Sequence, residues 1–188
     1  MDIKLFTDLI EALGKVAKGL KAISDIPKAE REKYRVVLDE TYRLIDTTLN
    51  MVIIRLGDIQ AADDDQDFMD GVAELDNFSD WMQAEREFRL CKSLRVALRE
   101  TETLSGRLAG ALSTADWQAL LDHMRRILAT EGEVAEFIGA HFQGLADAAS
   151  APEVEIRDIK ANVSEFRNAL IQERQELIRQ EIALLSIV

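Results

Sequence analysis

Residues 44–59 read LIDTTLNMVIIRLGDI. Wound as a helix, Leu49, Met51, Val52, Ile53, Ile54 and Leu56 leave little room for a face turned to water. The stretch therefore reads as the buried centre of an all-α protein. The charged residues before it (Glu30, Arg31, Glu32, Lys33 and Arg35) extend the same helix back to about Lys28. Gly57 weakens its far end, near Gln60. Two residues interrupt the apolar run, Asp46 and Arg55, and desolvating either is costly unless it finds a partner. The expected role is a buried ion pair, or an amide network with Asn50, that sets helix register; a polar interface is the alternative.

Outward from this centre, apolar residues keep recurring at intervals of three and four. In the first segment Ile3, Phe6, Leu9, Ile10, Leu13, Val16, Leu20 and Ile23 share one side, with Lys4, Asp8, Glu11, Lys15, Lys18 and Lys21 opposite. Asp25, Ile26 and Pro27 end that helix, because proline disfavours helical backbone in the residue before it. Phe68, Val72 and Leu75 mark a short segment, and Asn77 or Ser79 is placed to cap the next helix. That helix, over about residues 80–109, turns Trp81, Phe88, Cys91, Leu94 and Leu98 inward. After a break at Gly110 to Thr114 comes a helix carrying Trp117, Leu121, Ile138, Phe142 and Leu145. Ser150 and Pro152 open the last one, whose stripe is Ile156, Ile159, Val163, Phe166, Leu170, Leu177, Ile178, Ile182 and Leu185. Together these predict an elongated, coiled-coil-like, up-and-down bundle of about five long helices plus one short helix. A chain of 188 residues suits one such domain over its full length, with an acidic interhelical linker at about 61–67.

Composition narrows the functional classes. Nine glycines and two prolines are too few for a strand-and-turn architecture. The single cysteine, Cys91, rules out an internal disulfide or an all-cysteine metal site and suits packing as a small hydrophobe. No window approaches the roughly 18 uninterrupted apolar residues of a membrane span, and nothing at the start resembles a secretion signal, so a cytoplasmic location is expected. The formal net charge is −12. Most of it sits between Arg55 and Arg86, where ten acidic residues meet no lysine or arginine: Asp58, Asp63, Asp64, Asp65, Asp67, Asp70, Glu74, Asp76, Asp80 and Glu85. Such a patch suits a cation or a basic partner and is the wrong sign for nucleic acid.

Asp63, Asp65, Asp67 and Glu74 reproduce the spacing of positions 1, 3, 5 and 12 of a helix–loop–helix calcium loop. Position 6, where the sharp turn needs glycine, is Phe68; position 8 is Asp70 and Gly71 falls at position 9. The favoured reading is a solvated linker whose aspartates also suit the N-terminus of the next helix. Those four residues stay as the candidate metal ligands, and no cofactor is expected. A row of Arg86, Arg89, Lys92, Arg95 and Arg99 comes after it, diluted by Glu85, Glu87, Glu100 and Glu102, and reads as a partner for the acidic segment or as a solvated face.

A carboxylate-bridged di-metal site in a bundle needs Glu-x-x-His on two helices, and neither His123 nor His141 has an acid three residues before it. His141 is expected at the edge of an apolar stripe. Glu-x-x-Glu occurs at Glu133–Glu136 and Glu173–Glu176 without the second acidic pair that magnesium-dependent all-helical pyrophosphatases use. No nucleophile turn or glycine-rich phosphate loop is present.

At the other end of the chain, residues 172–176 are wholly polar and residues 183–188 almost wholly apolar. An apolar end must be covered, by the bundle or by another chain. Asp64 and Asp70 in the acidic segment, with Leu184, Leu185 and Ile187 here, are the candidate interaction residues. The expected function is a non-catalytic protein–protein interaction module, an adaptor or regulatory subunit of a larger bacterial assembly. Its partner would carry a basic surface or be a second copy of the chain. The alternatives are a membrane-interacting bundle using the amphipathic first helix, and divalent-cation binding through the aspartate-rich linker.

Overall fold

The computed structural model describes residues 11–15, 18–19, 28–78, 138–151 and 153–185, with the single or paired positions 96, 99, 102–103, 118, 121–122, 125 and 136. It is an all-α helical bundle, with no strand among the described residues. Helix α1 spans Lys28–Gln60, α2 spans Asp65–Ala73 and α3 spans Ile156–Leu185. Further helical backbone covers residues 75–78 and 138–150. Among the described residues no helix is long and apolar enough to cross a membrane.

The body is organised by α1 against α3. On α1, Tyr42, Ile45, Leu49, Val52, Leu56 and Ile59 are buried, and their alternating steps of three and four keep one seam facing a partner over five turns. On α3 the matching seam is Ile159, Val163, Phe166, Leu170 and Leu177. Polar contacts set direction and register. Arg174 meets Asp46, the Arg167 guanidinium donates to the carbonyl of Ile53 at 3.2 Å, and Lys160 reaches Asp65 just beyond α1. Partner positions descend α3 as they ascend α1, so the two helices are antiparallel. Arg167 can lie across α1 because Gly57 offers no side chain: a Cβ there would stand 3.2 Å from the guanidinium.

Segment 138–150 covers the first half of α3. Ile138, Phe142 and Leu145 are buried, and the Phe142 ring meets Phe166 edge-on at 6.2 Å. Phe78 stacks on Phe142 at 5.8 Å, which ties the chain after α2 into the same cluster. Phe68, Val72 and Leu75 are buried as their spacing predicts.

Several boundaries and faces differ from expectation. The acidic linker is 61–64 rather than about 61–67, because Asp65 and Asp67 already belong to the first turn of α2. Ser150 does not cap α3. It ends the preceding helical segment with its hydroxyl on the Ala146 carbonyl at 3.1 Å, and α3 starts six residues later, where the Glu155 carbonyl accepts the first bonds. The centre of α1 does keep a wet face: Ile54 is 54% exposed, on the same side as Thr47 and Asp58. On α3, Ile178 and Ile182 also face outward, Ile182 at 63%. Residues 1–10, Cys91, the row from Arg86 to Arg95, His123, Glu131, Glu133 and Ile187 lie outside the described residues, as do the side chains of Leu184 and Leu185.

Phe166 joins α3 to both α1 and segment 138–150, so Phe166→Ala should cost about 3–5 kcal/mol in urea unfolding. Ile54→Ala should stay within about 0.5 kcal/mol of the parent, as exposed substitutions do. Equal losses from the two would contradict this assignment of the core.

Candidate functional site

The end of the bundle where α1 stops and α3 begins holds the acidic segment. Asp58, Asp63, Asp64, Asp65, Asp67, Asp70, Glu74 and Asp76 are all exposed there. Folding accounts for five of them. Asp64 is the N-cap of α2, its carboxylate accepting from the Asp67 backbone N–H at 2.9 Å. Asp65 and Asp67 lie in the first turn, where the helix dipole favours an anion, and Asp65 pairs with Lys160 Nζ at 2.6 Å. That ammonium also sits 5.2 Å from the centre of the Phe68 ring. Asp70 accepts from Gln66 at 2.9 Å, and Glu74 pairs with Arg55 at 2.9 Å. Gly71, which occupies the wrong position for a calcium loop, serves a different purpose. A Cβ there would lie 3.1 Å from Ile59, so the glycine lets α2 close onto the end of α1.

The candidate metal ligands are not gathered around one point. Asp63 is in the turn before α2, Asp65 and Asp67 are in its first turn, and Glu74 is its C-cap. At 1.5 Å per residue, Asp65 and Glu74 are separated by about 13 Å along the helix. Among the described residues, no group of three or more His, Cys, Asp or Glu is placed to hold a metal ion.

Three carboxylates remain that folding does not use: Asp58, Asp63 and Asp76. Among the described residues no cation lies within ion-pair distance of them. Asp58 is in the last turn of α1, a turn with no basic residue, where the negative pole of the helix disfavours an anion. The start of α3 adds exposed Glu153, Glu155 and Asp158 to the same end, against Arg157 and Lys160.

A second charged region lies between the helices, toward the C-terminal end of α3. Asp46 and Arg55 are both paired, but not with each other. Arg174 grips Asp46 with two nitrogens, at 2.6 and 3.1 Å, while Arg55 turns to Glu74. Both Asp46 and Arg174 are about a third exposed, so water screens the pair. Their spacing from one another, 128 residues, is why the sequence alone suggests the nearer Arg55. Beside this pair the Arg43 guanidinium meets Asp39 at 3.2 Å. Glu181 stands across from Asp39 and Asp46, and burial together with those two charges raises its carboxyl above the ordinary glutamate range, opposed by Arg43.

Tyr42 is wholly buried in this layer, and its hydroxyl has no hydrogen-bond partner among the described residues. Burial, reinforced by the charge of Glu181, pushes that phenol well above its usual value. His141 is half-buried against Phe166, ring centres 4.0 Å apart, and burial lowers its basicity. No family model matches the chain, nor does any curated protein or solved structure.

Both the ion pair and the histidine bear on stability. Asp46→Ala and Arg174→Ala should each destabilise by about 1–2 kcal/mol, and the double variant should lose less than their sum; strict additivity would show that the pair does not couple the helices. His141 has a folded pKa below its unfolded value near 6.5, so its contribution is complete above that pH and is lost as pH falls through the folded value. His141→Phe should therefore flatten the fall in melting temperature below about pH 6.5, and an unchanged slope would contradict the assignment.

Proposed function

We propose that the chain is a non-catalytic protein–protein interaction module whose acidic end binds a basic surface on its partner. The observation that carries the reading is the set Asp58, Asp63 and Asp76. These carboxylates are exposed, serve no capping or pairing role among the described residues, and in the case of Asp58 oppose the dipole of the helix that bears it. Anions kept where folding gains nothing from them suit an external cation. They flank one fixed element: Asp58 is in the last turn of α1, Asp63 in the turn before α2 and Asp76 just after it, and α2 is held by its cap, by buried Phe68 and Val72, and by the ion pairs of Asp65 with Lys160 and of Glu74 with Arg55. The partner would bring lysine or arginine, with arginine favoured for forked contacts to carboxylate.

Electrostatic attraction of this kind accelerates encounter and is screened over about 10 Å at 0.1 M salt. An adaptor or regulatory subunit that docks by such a surface needs no reactive group of its own.

An arginine-rich peptide, titrated calorimetrically at low salt, is the probe. Asp58→Asn/Asp63→Asn/Asp76→Asn should weaken its binding markedly while leaving the melting temperature unchanged or slightly higher. A control with the same change in net charge, Glu11→Gln/Glu32→Gln/Glu40→Gln, removes acids from the opposite end and should weaken binding far less. Equal weakening by both triples would mean that only net charge matters, and the reading would fail.

A further inference from the structure

Three basic residues stand one heptad apart on α3, Lys160, Arg167 and Arg174, and each crosses to an acceptor on a facing element. Lys160 reaches Asp65, Arg167 the carbonyl of Ile53, and Arg174 the carboxylate of Asp46. The last two rungs of this ladder fix the register of the seam. A heptad back along α1, from Ile53 to Asp46, answers a heptad forward along α3, from Arg167 to Arg174. One further heptad sets Asp39 opposite Glu181. The helices are still packed at that level, because Tyr42 and Leu177, between this rung and the one before it, are wholly buried.

Here the ladder changes sign, with an acid on both sides of the seam. Asp39 is turned inward: its side chain is 26% exposed, against 73% for Arg43, the arginine that meets it at 3.2 Å. Glu181 is half-buried, and among the described residues no lysine or arginine lies within ion-pair distance of it. The other charges of this layer are largely engaged. On α1 Asp46 is held by Arg174, and on α3 Glu176 and Arg179 meet at 2.6 Å. Residues 11–15, whose Gly14 lies against Gln180, bring Glu11 and Lys15, joined at 3.5 Å, and Lys18 beyond them is exposed. Two carboxylates facing each other across a partly desolvated seam cannot both ionise without cost.

We propose that Asp39 and Glu181 are an acid pair that fastens the C-terminal end of α3 to α1 when it holds a proton and loosens it when both carboxylates are ionised. Protonated, the Glu181 carboxyl donates to the Asp39 carboxylate and continues the ladder. When that proton leaves to solvent, neither group has a hydrogen to share and the two repel. Burial, and then the charges of Asp39 and Asp46, hold the Glu181 carboxyl above its ordinary value of 4.5, opposed by Arg43. The fastening is therefore complete below the unfolded value and is lost as pH rises through the folded one. Ile178 and Ile182 on the same stretch face outward, so neither anchors it.

Thermal unfolding of the full chain tests this in four proteins: wild type, Glu181→Gln, Asp39→Asn and the double variant. At pH 7 Glu181→Gln should melt about 1–3 °C above the wild type. That gap should close as pH falls below 4.5, where the wild-type carboxyl is neutral as well. In the Asp39→Asn background the same substitution should gain clearly less. Removing a negative charge near the C-terminus of a helix helps equally in both backgrounds, so the cycle isolates the pair. Glu181→Arg should gain more than Glu181→Gln while Asp39 is present, because it completes the ladder, and should lose that excess without it. No gain from Glu181→Gln at pH 7, a gap that ignores pH, or a gain as large without Asp39 overturns the proposal. Should Glu181→Gln fail to fold, Glu181→Arg with and without Asp39 decides alone.

Discussion

Everything in this molecule hangs on the antiparallel seam between α1 and α3. Six seam residues of α1, from Tyr42 to Ile59, face five of α3, from Ile159 to Leu177, and each helix is a platform for something else. The end of α1 carries α2 and the acidic segment. The first half of α3 carries the aromatic cluster of Phe166, Phe142 and Phe78. Apolar burial, at about 25 cal/mol per Å², drives the two helices together but does not say in which register. That choice falls to the polar pairs: Asp46 with Arg174, Arg167 with the carbonyl of Ile53, and Lys160 with Asp65. A slip of one turn would strand charges against apolar neighbours.

The antiparallel order also explains the charge distribution. Since α1 ends where α3 begins, the acids after Leu56 and those around Glu155 converge on one end of the bundle. At that end the N-termini of α2 and α3 favour anions, and the C-terminus of α1 opposes them. Asp64, Asp65 and Asp67 exploit the first effect; Asp58 stands against the second. The division between acids the fold uses and acids it merely tolerates is therefore physical, and the functional proposal rests on the tolerated ones.

How far the sequence discloses this depends on whether the interaction is local. Helix α1 is readable almost to the residue, because its periodic pattern and flanking residues are local signals. The buried trio Phe68, Val72 and Leu75 is equally readable. Ile54 and Ile182 mislead, because periodicity reports which side is apolar and not how much neighbouring structure exists to cover it. Asp46 announces itself as a costly intruder in an apolar run, yet its partner lies 128 residues away, and only the packed helices reveal it. Gly71 has the opposite history. Read as a displaced loop glycine it carries no meaning; in the fold it is the gap into which Ile59 fits. Tyr42 looks like an ordinary seam residue until its hydroxyl is seen to lack a partner. No local signal could have supplied that.

Paired spin labels measure the seam most directly. On a background with Cys91 replaced by serine, one pair is placed at the exposed positions Asp58 and Arg157 and another at Asp58 and Ile182. The antiparallel register makes the first distance the shorter, since Ile182 sits about 37 Å further along α3 than Arg157. A first distance equal to or longer than the second would contradict the register, and with it the gathering of the acids at one end.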